Sequence, residues 1–134
     1  MKFALSIVLI VVVAVGGLIV LSPKAETKTS ASAPTLSIQS IKSDTAKGAQ
    51  FIDVRTPAEY AAGHINGASN LSLQDMQAGT LPAVPKDTQV YVYCHSGNRS
   101  SEATTILKSA GFTKVTDLGA ITHVESLGGV IVKS

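Results

Sequence analysis

The 134-residue chain has no tryptophan, a single cysteine, and charge on only 15% of its residues. One cysteine excludes an internal disulfide framework and any metal or iron–sulfur site built from several thiolates. The three histidines and Cys94 show no ligand spacing, so no metal is expected. Charge of one sign is also scarce: 11 Lys+Arg against 9 Asp+Glu leave a net charge of +2, with no basic block. That removes the electrostatic basis for nucleic-acid binding, and no nucleic-acid partner is expected.

What the chain does have is an uneven distribution of apolar residues. Phe3–Leu21 carries no charge, and Ser6 is its only polar side chain. As a helix it would span about 28 Å at 1.5 Å per residue, close to the hydrocarbon core of a bilayer. A cleaved signal peptide has a shorter apolar region followed by a small-x-small site. The first such site here, Ala31-Ser32-Ala33, precedes Pro34. An uncleaved membrane anchor over residues 1–21 is therefore favoured over a cleaved signal, with the membrane as a partner. A buried soluble helix is disfavoured, because the run has no polar face. Basic residues tie across the segment, Lys2 against Lys24 and Lys28, but an export-like N-terminus favours an extracytoplasmic (periplasmic) domain. Signal cleavage would instead leave a soluble periplasmic protein.

Residues 22–35, rich in Ser, Thr, Ala and Pro, read as a flexible tether. Residues 36–134 then form the folded domain, long enough for one small core. Ile38, Ile41 and Ala46 suggest a short helix, and Phe51–Val54 a strand. Thr56-Pro57-Ala58-Glu59 is a capping box with proline at the first helical position, and Gly63 closes that helix. Ala68–Leu71 reads as a strand, and Ser72–Asp75 starts a helix ending by Gly79. Val90–Tyr93 is a continuous apolar strand of the kind buried on both faces. A helix over Ser100–Ala110 and a strand over Val115–Leu118 complete an alternation that predicts an α/β domain with a mainly parallel sheet.

The chemistry concentrates at Tyr93-Cys94-His95-Ser96-Gly97-Asn98-Arg99-Ser100. A buried strand ends at Cys94, a loop with Gly97 follows, and a helix begins. Ligands bind at the carboxyl ends of strands in such sheets. The helix N-terminus and the loop N–H groups would stabilise a thiolate and lower its pKa, with Arg99 adding positive charge. The C-x4-R spacing is one residue shorter than that of cysteine phosphatases. The smaller ring of N–H groups suits a single sulfur atom better than a tetrahedral phosphoryl group.

These residues resemble the rhodanese (thiosulfate sulfurtransferase) family in its single-domain form. The likeness covers essentially all of the folded part. It is carried by Phe51-Ile52-Asp53-Val54-Arg55 with Glu59-Tyr60 and Gly63-His64-Ile65-Asn66-Gly67-Ala68, by the Cys94 loop, and by Val115–Ile121. In the last segment Ala120 stands where the family has a second glycine, and the tryptophan that usually follows is absent. These departures bear on the packing of the C-terminal helix. The resemblance implies a rhodanese-like fold and a sulfurtransferase without metal or organic cofactor. In it Cys94 is the catalytic nucleophile and carries a persulfide. His95, Ser96, Gly97, Asn98, Arg99 and Ser100 bind the sulfur and its donor through the loop. A small sulfur-containing anion such as thiosulfate is the donor, and a thiol or cyanide is the acceptor.

By the same resemblance Asp53, Arg55 and Glu59 brace the turn near the site rather than perform acid–base chemistry. His64 suits a capping or core hydrogen bond, while His95 is left open between lining the site and facing solvent. Other readings remain. They are a persulfide carrier with little thiosulfate turnover and, on weaker grounds, a cysteine phosphatase, an arsenate reductase or an inactive interaction domain.

Overall fold

The computed structural model describes residues 35–134. Helix α1, Ile38–Ala46, begins with a capping box: Ser37 accepts the Ser40 N–H, and the Ser40 side chain accepts the Ser37 N–H. It leads into strand β1, Gln50–Asp53, and helix α2, Pro57–Ala62. The Thr56/Glu59 capping box and Pro57 start α2 as the sequence indicates. Strands β2 (His64–Ile65) and β3 (Ser69–Asn70) and helix α3 (Leu73–Gln77) follow. Strand β4 (Val90–Cys94) then precedes helix α4 (Asn98–Ser109), strand β5 (Val115–Ala120), helix α5 (Ile121–Ser126) and strand β6 (Ile131–Val132).

Strands β3, β1, β4 and β5 form a parallel sheet in that order. Side chains alternate across it and feed two cores. Phe51, Tyr91, Tyr93 and Leu118 join Ile38 and Ile41 of α1 and Ile121 and Val124 of α5. Ile52, Val90, Val92 and Cys94 face the other way, with Leu73 and Met76 of α3 and Ala103 and Leu107 of α4. Every residue of β4 is buried, which accounts for its unbroken apolar sequence. The Tyr91 hydroxyl donates to Asp44 at 2.7 Å and ties α1 to the sheet. The chain leaves β1 toward β3 but leaves β4 toward β5, so a topological switch point opens beyond the carboxyl ends of β1 and β4.

Three sequence expectations change. First, the membrane anchor, and with it the membrane partner, the single-pass topology and the periplasmic placement, is withdrawn. Among the described residues no helix is long and apolar enough to cross a membrane. The expected span Phe3–Leu21 lies outside the described residues. The fold class is corrected to an α/β domain with no transmembrane helix among the described residues. Second, α4 starts at Asn98, two residues before the expected Ser100, because Gly97 supplies the left-handed residue that turns the loop into the helix. Third, β2 and β6 pair as a separate antiparallel ribbon that the sequence did not suggest. Two-residue strands carry no detectable periodicity.

Candidate active site

Cys94 ends β4 with its side chain on the α4 side of the sheet and is fully buried. Gly97, at φ +102°, bends the chain so that its N–H donates to Cys94 Sγ at 2.9 Å. Ser100, in the first turn of α4, places its hydroxyl 3.6 Å from the same sulfur. That hydroxyl also donates to the Gly97 carbonyl at 3.0 Å. In the thiol state Cys94 donates to Ser100, and Ser100 donates to Gly97. On ionisation the Ser100 proton turns to the sulfur. The Gly97 carbonyl stays satisfied, because the Ser101 N–H donates to it at 3.1 Å. Burial pushes the thiol up. The Ser100 hydroxyl and the N–H groups of Ser100, Gly97 and Ser96 outweigh that cost and hold it below its ordinary value.

The remaining loop residues divide. His95, Ser96 and Asn98 are exposed, while Arg99 is half-buried. Arg99 turns to α2: its two terminal nitrogens donate to Glu59 Oε2 at 2.7 Å and Oε1 at 2.9 Å. Glu59 Oε2 also accepts the Thr56 N–H at 3.1 Å and the Thr56 hydroxyl at 2.8 Å. The hydrogen bond from Arg99 is the main reason the Glu59 carboxyl sits far below the usual range, against the opposing effect of its own desolvation.

Asp53 and Arg55 form a buried ion pair at the end of β1. The Arg55 terminal nitrogen donates to Asp53 Oδ2 at 2.6 Å, and the Arg55 backbone N–H donates to Oδ1 at 2.9 Å. The same guanidinium reaches the Gly63 carbonyl at 2.6 Å and stacks over Tyr93, 5.9 Å from the ring centroid. Asn70 donates to the carbonyls of both Asp53 and Arg55. His64 lies face to face with Tyr60, at a centroid distance of 3.7 Å, with Nδ1 2.9 Å from the Tyr60 carbonyl. None of these side chains contacts Cys94 Sγ by a hydrogen bond. Their contacts tie the β1 end, α2 and β2 together beside the cysteine loop.

One feature of β5 escaped the sequence reading. Val92 pairs with Asp117 but Cys94 pairs with Ala120, so β5 carries one extra residue opposite Tyr93. The Asp-x-Gly spacing of Asp117 and Gly119 was the available signal, since a short acidic side chain bonds readily to the N–H two residues on.

The residues holding this site lie within a longer matched region: residues 37–120 match the family model of the rhodanese-like domain. The chain belongs to the rhodanese-like domain family. It is similar to thiosulfate sulfurtransferase PspE of Escherichia coli K12, with 38% identity over 81 residues, covering 60% of this chain and 69% of the relative. Among solved structures it is similar to a rhodanese with anions from E. coli. That match has 34% identity and a TM-score of 0.56, covering 63% of this chain and 98% of the other. It is also similar to the human single-domain sulfurtransferase TSTD1, with 29% identity and a TM-score of 0.51, covering 63% and 88%.

Proposed function

We propose that residues 36–134 form a sulfurtransferase that uses Cys94 as nucleophile and persulfide carrier. The observation that carries this reading is the Cys94 sulfur at the sheet's carboxyl end, facing the Gly97 N–H and the Ser100 hydroxyl. The Cys94 thiolate attacks the outer sulfur of thiosulfate or a related donor. A sulfur–sulfur bond forms on Cys94, the donor's own sulfur–sulfur bond breaks, and sulfite leaves with the electron pair. Cyanide or a thiolate then attacks the terminal sulfur, taking it as thiocyanate or a new persulfide and returning the Cys94 thiolate. The two half-reactions share one covalent intermediate, hence ping-pong kinetics. The donors that stabilise the thiolate stabilise the persulfide anion by the same electrostatics. Asp53, Arg55, Glu59 and His64 support the site without touching the sulfur.

A second reading, a persulfide carrier with slow thiosulfate turnover, rests on the same sulfur and the same hydrogen-bond donors. A phosphatase or arsenate reductase is not favoured, because the Arg99 guanidinium is committed to Glu59 rather than to an anion above the sulfur. Intact mass of the protein after thiosulfate treatment tests the proposal. One added sulfur, removed by cyanide and absent in Cys94→Ala, is expected. An unmodified wild-type protein, or transfer by Cys94→Ala, overturns it. A stable adduct with slow release to every acceptor selects the carrier reading.

A further inference from the structure

The extra residue in β5 lies against the cysteine loop. Gly119 has φ +71°. Its N–H donates to Asp117 Oδ1 at 2.8 Å. A side chain at Gly97 would lie 3.7 Å from Gly119 Cα and 3.9 Å from the Ala120 nitrogen, so the loop rests directly on this bulge. Gly97 is the residue whose N–H reaches Cys94 Sγ. Cys94 itself takes Ala120 as its partner across the shifted register. A bulge leaves one residue outside the regular ladder and bends its strand, so its shape depends on what holds the freed N–H. Here that group is the exposed carboxylate of Asp117.

From this contact chain we infer that Asp117 is a positioning residue for the active-site sulfur: its carboxylate pins the Gly119 bulge, and the bulge fixes the Gly97 N–H on Cys94. The inference rests on Cys94 being the reactive sulfur of the proposed function. Its test reads the sulfur's hydrogen bonding whether or not sulfur transfer is the reaction.

Two effects of removing Asp117 have opposite signs. Loss of a nearby negative charge favours the thiolate and lowers the Cys94 midpoint. Loss of the aligned Gly97 N–H disfavours the thiolate and raises it. In the full chain, whose only thiol is Cys94, the midpoint is read from thiolate ultraviolet absorbance against pH. Asp117→Ala is expected to raise it by about half a unit or more, which is about threefold less thiolate at a pH below the midpoint. Asp117→Asn keeps an acceptor oxygen and is expected to stay at or below the wild-type midpoint. Asp117 is exposed, so both variants are expected to fold, and circular dichroism with thermal melting checks this. An unchanged or lowered midpoint in Asp117→Ala overturns the inference, as does a rise in Asp117→Asn equal to that in Asp117→Ala.

Discussion

Arg99 and Glu59 meet as a two-point ion pair, 2.7 and 2.9 Å between nitrogen and oxygen, that joins the first turn of α4 to the first turn of α2. One partner follows the nucleophile by five residues, and the other closes the helix cap beyond β1. The charge that the sequence places beside the thiolate is therefore balanced by a carboxylate, and its first effect is to hold the loop's exit.

If Arg99 acts by holding α4, Glu59→Gln should reproduce the effect of Arg99→Ala on persulfide formation, and the double variant should be no slower. The pair is partly exposed, with side chains 28% and 35% accessible. Its coupling energy in a double-mutant cycle should therefore be about 0.5–1 kcal/mol. Single-turnover rates with thiosulfate check this. A large loss in Arg99→Ala with none in Glu59→Gln would show that the guanidinium touches the donor.

Ser100→Ala removes the hydroxyl beside the sulfur but keeps the backbone N–H. The Cys94 midpoint should move up toward the ordinary thiol value of about 8.5. The contact is long, at 3.6 Å, so the shift should stay near about one unit. At a pH below both midpoints that means about tenfold less thiolate, and a comparable fall in the rate of persulfide formation. Stability should hardly change, since the Gly97 carbonyl keeps the Ser101 N–H. Absorbance titration and thermal melting measure the two effects separately.

Asp53→Ala leaves the buried Arg55 guanidinium without its carboxylate. Breaking one side of a buried pair costs about 3–5 kcal/mol, enough to lower Tm by more than about 10 °C in a domain of this size. The Gly63 carbonyl still accepts from Arg55 and limits the loss. At a temperature where the variant remains folded, it should still take up one sulfur, because Asp53 makes no hydrogen bond to Cys94. A folded Asp53→Ala protein unable to form the persulfide would give Asp53 a direct part in the chemistry.

The elements legible in the sequence are those with local signatures. Thr56, Pro57 and Glu59 spell a helix start, and Val90–Tyr93 could only be a buried strand. The order of alternation indicated the layers, and the position of Cys94 between strand and helix indicated the candidate site. Three features were not legible, because each depends on partners distant in the chain. The Arg99–Glu59 pair spans 40 residues. The β2–β6 ribbon joins segments with no periodicity of their own. The bulge at Gly119 exists only relative to β4. The apolar run at Phe3–Leu21 was conspicuous in composition but lies outside the described residues, among which no helix is long and apolar enough to cross a membrane.

Glu59 also sets an acid-sensitive part of the domain's stability. Its folded-state pKa is depressed far below the unfolded value of about 4.3, chiefly by the Arg99 hydrogen bond. A depressed carboxyl contributes stability that is fully present above the unfolded pKa and is lost as pH falls toward the folded pKa. The loss should therefore begin near about pH 4–5 and continue downward, with no change across neutral pH. Partial exposure and salt reduce the magnitude, so the effect should be larger at low ionic strength. Glu59→Gln cannot titrate. Its stability should lie below wild type at pH 7, and the gap should narrow as the pH is lowered through the acid range. Urea unfolding at a series of pH values gives both curves. Parallel acid limbs for wild type and Glu59→Gln would show that the folded state does not favour ionised Glu59 over the unfolded chain.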